Sequence, residues 1–102
     1  MDPFFKSQQH LRPKTYFIHF FTTSKADLER EFPRLKAALT PNGMLWISWP
    51  KKTSKVETDL EAKDVIKIGK KNGLTDMKVA SIDNTWTAMK FMYSLKNRPF
   101  LA

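Results

Sequence analysis

With 102 residues, the chain has room for one domain with one core, of a size that buries roughly 60–70% of its unfolded surface. The absence of cysteine excludes disulfides, thiolate metal sites and a cysteine nucleophile together, and it fits a reducing compartment. The net charge of +8 admits a polyanion, nucleic acid or acidic lipid, as a partner; yet 14 of the 18 basic residues are lysine, which also serves simply to keep a small domain soluble.

In chain order, Met1-Asp2-Pro3-Phe4-Phe5-Lys6 lacks the basic stretch and long apolar run of a secretory leader. No apolar run approaches the ~20 residues that span a bilayer, so a cytoplasmic protein without a membrane segment is expected. Asp2 to Leu11 is expected to form a short helix, with Asp2 as N-cap and Pro3 at the first helical position, ended by Arg12-Pro13. Tyr16-Phe17-Ile18-His19-Phe20-Phe21 reads as a strand, apolar on both alternating faces and so expected to be buried on both sides.

Ser24 is positioned to cap a helix, with Asp27 three residues on in capping-box position. Leu28, Phe32, Leu35 and Leu39 form one apolar stripe, which predicts a helix to about Leu39, bent at Pro33. Pro41-Asn42-Gly43 is expected to end that helix and turn the chain into a second strand, Met44 to Trp49. A polar loop, Pro50 to Lys55, follows. Thr58 and Glu61 predict a second capping box and a helix through Asn72, with Leu60, Val65 and Ile68 inward and Gly73 as terminator. Asp76 to Ile82 reads as a third strand and Asp83-Asn84-Thr85 as a turn. Trp86 to Leu95 reads as a fourth strand, and Lys96 onward as a loose tail.

This order, strand–helix–strand–helix–strand–strand, predicts three parallel strands joined by right-handed crossovers and a fourth antiparallel to the third. Both helices then lie on the same face, and the opposite face needs cover. Phe4, Phe5 and Leu11 are expected to supply part of it.

The order resembles the C-terminal half of a class I S-adenosylmethionine-dependent methyltransferase. That resemblance implies an α/β, truncated Rossmann-like open sheet of four strands in the order first, second, fourth, third. The stretches Phe17 to Phe21, Pro33 to Leu39, Pro41 to Lys52, Thr58-Asp59-Leu60, Gly73-Leu74, Met77-Lys78-Val79 and Asp83 to Trp86 also look like a small bacterial family of uncharacterised proteins. The similarity runs from Thr15 to Arg98, leaving Met1–Lys14 as an N-terminal segment and 99–102 as a tail of a single domain. Longer members of that family carry an additional strand and helix region where Met1 to Lys14 stands here. In a methyltransferase a glycine-rich loop after the first strand holds the cofactor against a helix N-terminus. The three glycines here, Gly43, Gly69 and Gly73, form no such pattern, so no cofactor is expected and methyltransferase activity by this chain alone is not.

No catalytic constellation is visible. His10 and His19 have no partner at metal-ligand spacing, and His19, set among aromatics, is expected to be a hydrogen-bonded core residue. Ser48 has no glycine elbow. Asp59, Glu61 and Asp64 are accounted for by the dipole of the second helix. One stretch stands as a candidate ligand site: Trp49, Lys51, Lys52 and Lys55 leave the C-terminal end of a central parallel strand, where open α/β sheets bind ligands, and Trp86 can approach the same edge. Lysines beside an aromatic suit phosphate or nucleic acid. Equally, Trp49 and Trp86 can be core residues and the loop plain surface.

The other candidate is the first strand. Without further strands beyond it, Tyr16, Phe17, Ile18, His19, Phe20 and Phe21 form a sheet edge, and an apolar edge is a template for association. A homodimer is expected, across that edge or through the uncovered faces.

Overall fold

The computed structural model describes residues 15–94. The expected N-terminal helix, His10, the cover from Phe4, Phe5 and Leu11, and the tail lie outside the described residues. Four strands and two helices follow one another: β1 (Thr15–Phe21), α1 (Lys25–Ala37), β2 (Leu39–Pro50), α2 (Ala62–Lys71), β3 (Leu74–Ser81) and β4 (Trp86–Tyr93). The sheet order is β1-β2-β4-β3. β1 pairs with β2 in parallel, and β4 runs antiparallel to both of its neighbours, β2 and β3. This is the α/β open sheet of four strands, in the order that the resemblance implied.

The apolar stripes account for the helices. Leu28 and Phe32 of α1 and Val65 and Ile68 of α2 are fully or nearly fully buried against Leu45, Ile47 and Trp49 of β2 and Met89 and Phe91 of β4. Each such side chain contributes on the order of 1.5–3 kcal/mol by leaving water. Phe32 meets Phe91 edge to face, with ring centroids 5.5 Å apart. Both helices therefore cover the same face of the sheet. Gly69 lets α2 settle directly on Phe91: a β-carbon there would lie within 2.7 Å of three ring atoms.

Local chemistry moves several boundaries. Ser24 Oγ accepts the Asp27 N–H at 3.1 Å, as a cap should, while the Asp27 carboxylate takes Arg30 at 2.7 Å. α1 runs through the exposed Pro33 and stops at Ala37. The Pro41-Asn42-Gly43 turn falls inside β2. Thr15 faces Leu39 and Phe17 faces Met44, so β2 makes a three-residue excursion against β1. Gly43 is required there by crowding, since a β-carbon would stand 2.7 Å from the Tyr16 carbonyl oxygen. Gly73, at φ +87°, ends α2 in the left-handed conformation that glycine adopts without strain.

The second helix begins later than Thr58 suggested. Its N-cap is Glu61, and Asp64 Oδ2 accepts the Glu61 N–H at 3.0 Å. Thr58 instead donates its hydroxyl to the Thr23 carbonyl at 2.6 Å. Asp59 serves the other helix, accepting the Lys25 N–H at 2.8 Å. These two bonds tie the loop after β1 to the loop after β2.

β1 departs most from expectation. It is exposed along much of its length, because among the described residues it has one neighbour in the sheet and the helices cover only one face. Tyr16, Phe17 and Phe21 are 53%, 51% and 49% exposed. His19, expected in the core, is exposed as well, although its hydrogen bond is present.

Candidate functional site

The basic loop is held as a turn. Lys51 donates its backbone N–H to Thr85 and its Nζ to Ser81 Oγ, at 2.7 and 2.5 Å, while the Ser54 hydroxyl closes on the Lys51 carbonyl at 2.8 Å. Lys52 lies 3.7 Å from Glu61. Lys51 and Lys52 line a shallow recess of about 330 Å³ together with Glu57, Asp59 and Glu61, so cations and carboxylates share it. Lys55 is exposed outside that lining.

The two tryptophans part company. Trp49 is 4% exposed and belongs to the core under the helices. Trp86 pairs with Pro50 across β4 and β2 and packs edge to face on Phe21, centroids 5.1 Å apart. It therefore stands on the opposite face, which carries no helix among the described residues and is called the helix-free face below. Asp83 shapes the turn that presents it: the Trp86 and Thr85 N–H groups both donate to Asp83 Oδ1 at 2.8 Å and hold its carboxyl below the ordinary carboxylate value.

The register assigns the helix-free face residue by residue. Phe17, His19 and Phe21 of β1 stand beside Met44, Trp46 and Ser48 of β2. Trp46, Ser48 and Pro50 stand beside Lys90, Ala88 and Trp86 of β4, and Lys90 and Ala88 beside Lys78 and Ala80 of β3. His19 stacks on Phe21 with centroids 4.3 Å apart, and Lys90 Nζ lies 5.9 Å over the Trp46 ring. None of these registered positions is acidic.

His19 Nε2 lies 2.6 Å from Ser48 Oγ. Partial burial pushes the imidazole below its ordinary 6.5. The pair does not make a nucleophilic site: Ser48 is fully buried, and among the described residues no carboxylate contacts His19 to orient it. Sequence reasoning singled out each residue but not their pairing, which depends on the parallel register of two strands 29 residues apart. A second recess, of about 390 Å³, lies at the C-terminal end of β1 between Phe21, Trp86 and the Asp27, Arg30 and Glu31 side of α1. Among the described residues no helix is long and apolar enough to cross a membrane.

No family model matches the sequence, and no curated protein does. Solved structures do match. Magnesium protoporphyrin IX methyltransferase from Synechocystis PCC 6803 with bound SAH superposes with a TM-score of 0.65 at 12% identity, covering 84% of this chain and 48% of that one. The same enzyme with bound SAM gives 0.60 at 14% identity over 84% of this chain and 42% of that one. M1.HpyAVI gives 0.56 at 14% identity over 90% and 50%. The residues described here do not build a cradle for S-adenosylmethionine. Gly43 sits in the β2 excursion, Gly69 under Phe91 and Gly73 at the end of α2, so none is left for a glycine-rich phosphate-type loop. The chain spans about half the length of the structures it resembles, and what it shares with them is the methyltransferase-like fold.

Proposed function

We propose that this domain works by association rather than by catalysis, and that a second copy adds to β1. The observation that carries the reading is the contrast between the two edges of the sheet. β3 bears Asp76 and Lys78 and a break in register between them, the devices that keep an edge from pairing. β1 has no Asp, Glu, Lys or Arg from Thr15 to Phe21, and Tyr16, Phe17 and Phe21 are half exposed. Two β1 strands pairing antiparallel about a twofold axis would give one eight-stranded sheet with all four helices on one side.

Light scattering tests this. The parent protein should give twice 11.9 kDa at micromolar concentration, and Tyr16→Lys, which places a guarding charge on the edge, should give a monomer. A monomeric parent with unchanged secondary structure overturns the reading.

The half-length likeness favours a second reading. A separate polypeptide would supply the cofactor-holding half of the sheet at the same edge, in a cytoplasmic, methyltransferase-like assembly. S-adenosylmethionine should then raise the melting temperature only when that partner is present, since a ligand stabilises the state that binds it.

A further inference from the structure

The helix-free face is the part of the molecule that the association reading leaves unused. Pairing at β1 extends the sheet sideways and does not cover this face. Five rings stand on it, His19 among them, stacked on one side of Phe21. Phe17 and Phe21 are half exposed, and Trp46 and Trp86 lie half buried beside them. Lys78 of β3 stands directly opposite Lys90 of β4. Like charges placed opposite each other on a sheet oppose its formation. No acidic residue occupies a registered position of the face to relieve them. A ligand that brings both flat rings and negative charge would satisfy every part of this surface at once.

We infer that the helix-free face is a platform for single-stranded nucleic acid. Bases stack on Phe17 and Phe21, with Trp46 and Trp86 forming the floor, while Lys78 and Lys90 meet successive phosphates. Unpaired bases expose the ring faces that such stacking needs, and the phosphate backbone answers paired lysines without any sequence-specific contact. A duplex keeps its bases stacked on one another and offers only its backbone. A lipid surface is the poorer fit, because Trp46 and Trp86 lie half buried in the sheet and cannot insert into a bilayer. The chain's net charge of +8 draws a polyanion towards it at long range.

The experiment uses the full chain with fluorescently labelled single strands of deoxythymidine and of uridine, followed by anisotropy across a salt series. Binding at low salt should weaken linearly in log–log form as salt rises. The double variant Lys78→Ala/Lys90→Ala should flatten that slope by about 1.4, the value for two phosphate contacts on a single strand. Phe17→Ala and Phe21→Ala should each weaken binding by about 5- to 150-fold with little change in slope, the signature of a lost stack. Lys67→Ala/Lys70→Ala, on the exposed side of α2, should leave the slope within experimental error.

The deoxythymidine and uridine arms distinguish DNA from RNA as the source. No binding tighter than about 100 μM at low salt overturns the inference. An α2 double variant that flattens the slope as much as the sheet variant does the same, because attraction would then be unlocalised. So does tighter binding to phosphatidylserine vesicles that oligonucleotide fails to displace. Variants are compared at equal folded fraction by circular dichroism, so that a destabilised Phe21→Ala is not mistaken for a lost contact. The Tyr16→Lys result bears on association alone, and the two proposals therefore fail separately.

Discussion

The two faces of one sheet are built to opposite rules. Beneath the helices, Leu45, Ile47, Met89 and Phe91 are almost completely out of water, and the face is so closely filled that position 69 has no room for a methyl group. On the other side the sheet carries Phe17, His19, Trp46, Trp86, Lys78 and Lys90, partly wet and unbalanced in charge. Stability resides on the first face. The second leaves aromatic rings and a like-charged lysine pair partly exposed, the features on which the proposed binding rests.

The largest expected effect lies on the covered face. Phe91→Ala removes the ring that Phe32 and Gly69 both pack against, and should cost about 3–5 kcal/mol in urea unfolding. Gly69→Ala pushes a methyl group into that ring and should cost about 1–3 kcal/mol. If either is neutral, the covered face is looser than described and the contrast between the faces dissolves.

The open face should respond with the opposite sign. Lys78→Glu turns a like-charged cross-strand pair into an attractive one and should stabilise the fold by about 0.2–1 kcal/mol. The same substitution should weaken oligonucleotide binding. A destabilised Lys78→Glu would mean that the lysines already have a use within the fold.

The smallest effect concerns His19. Its imidazole is held below the ordinary 6.5 by partial burial, so the unfolded chain takes up a proton more readily than the folded one. This contribution is fully present above about pH 6.5 and is lost as pH falls towards the lower folded-state value. The difference in stability between pH 7.5 and pH 5.5 should shrink in His19→Gln, and an NMR titration should place the parent His19 below 6.5. A value at or above 6.5 would show the open face to be wetter than its geometry implies.

Much of the architecture was legible in the chain. The spacing of Leu28 and Phe32, the cap at Ser24 and the stop at Gly73 each depend on neighbours a few residues away, and local rules reach that far. The sheet order came through resemblance to a known topology. What escaped was set by distant neighbours. Pro41-Asn42-Gly43 has the chemistry of a turn and forms an excursion within β2, because β1 holds the strand on both sides of it. Tyr16 to Phe21 has the composition of a buried strand and is exposed because, among the described residues, the sheet gives it one neighbour. Asp59 looked like an acid serving its own helix, yet it caps the helix before it, across 34 residues of sequence. Of the candidate ligand residues, Trp49 and Trp86 could not be told apart by sequence, since a single position along a strand decides which face a ring occupies.

The order β1-β2-β4-β3 also bears on how the sheet is assembled. β4 is the last of the described strands to be synthesised, yet it occupies the interior, joined to β2 on one side and β3 on the other. Until it arrives, β2 and β3 each present an unpaired margin, and Phe32 lacks the ring it closes against. A nascent chain halted before Trp86 would be an open clamp, competent to capture a strand from elsewhere. The Asp83 turn makes the connection from β3 to β4 short, so the strand that fills the gap follows its neighbour directly in the chain.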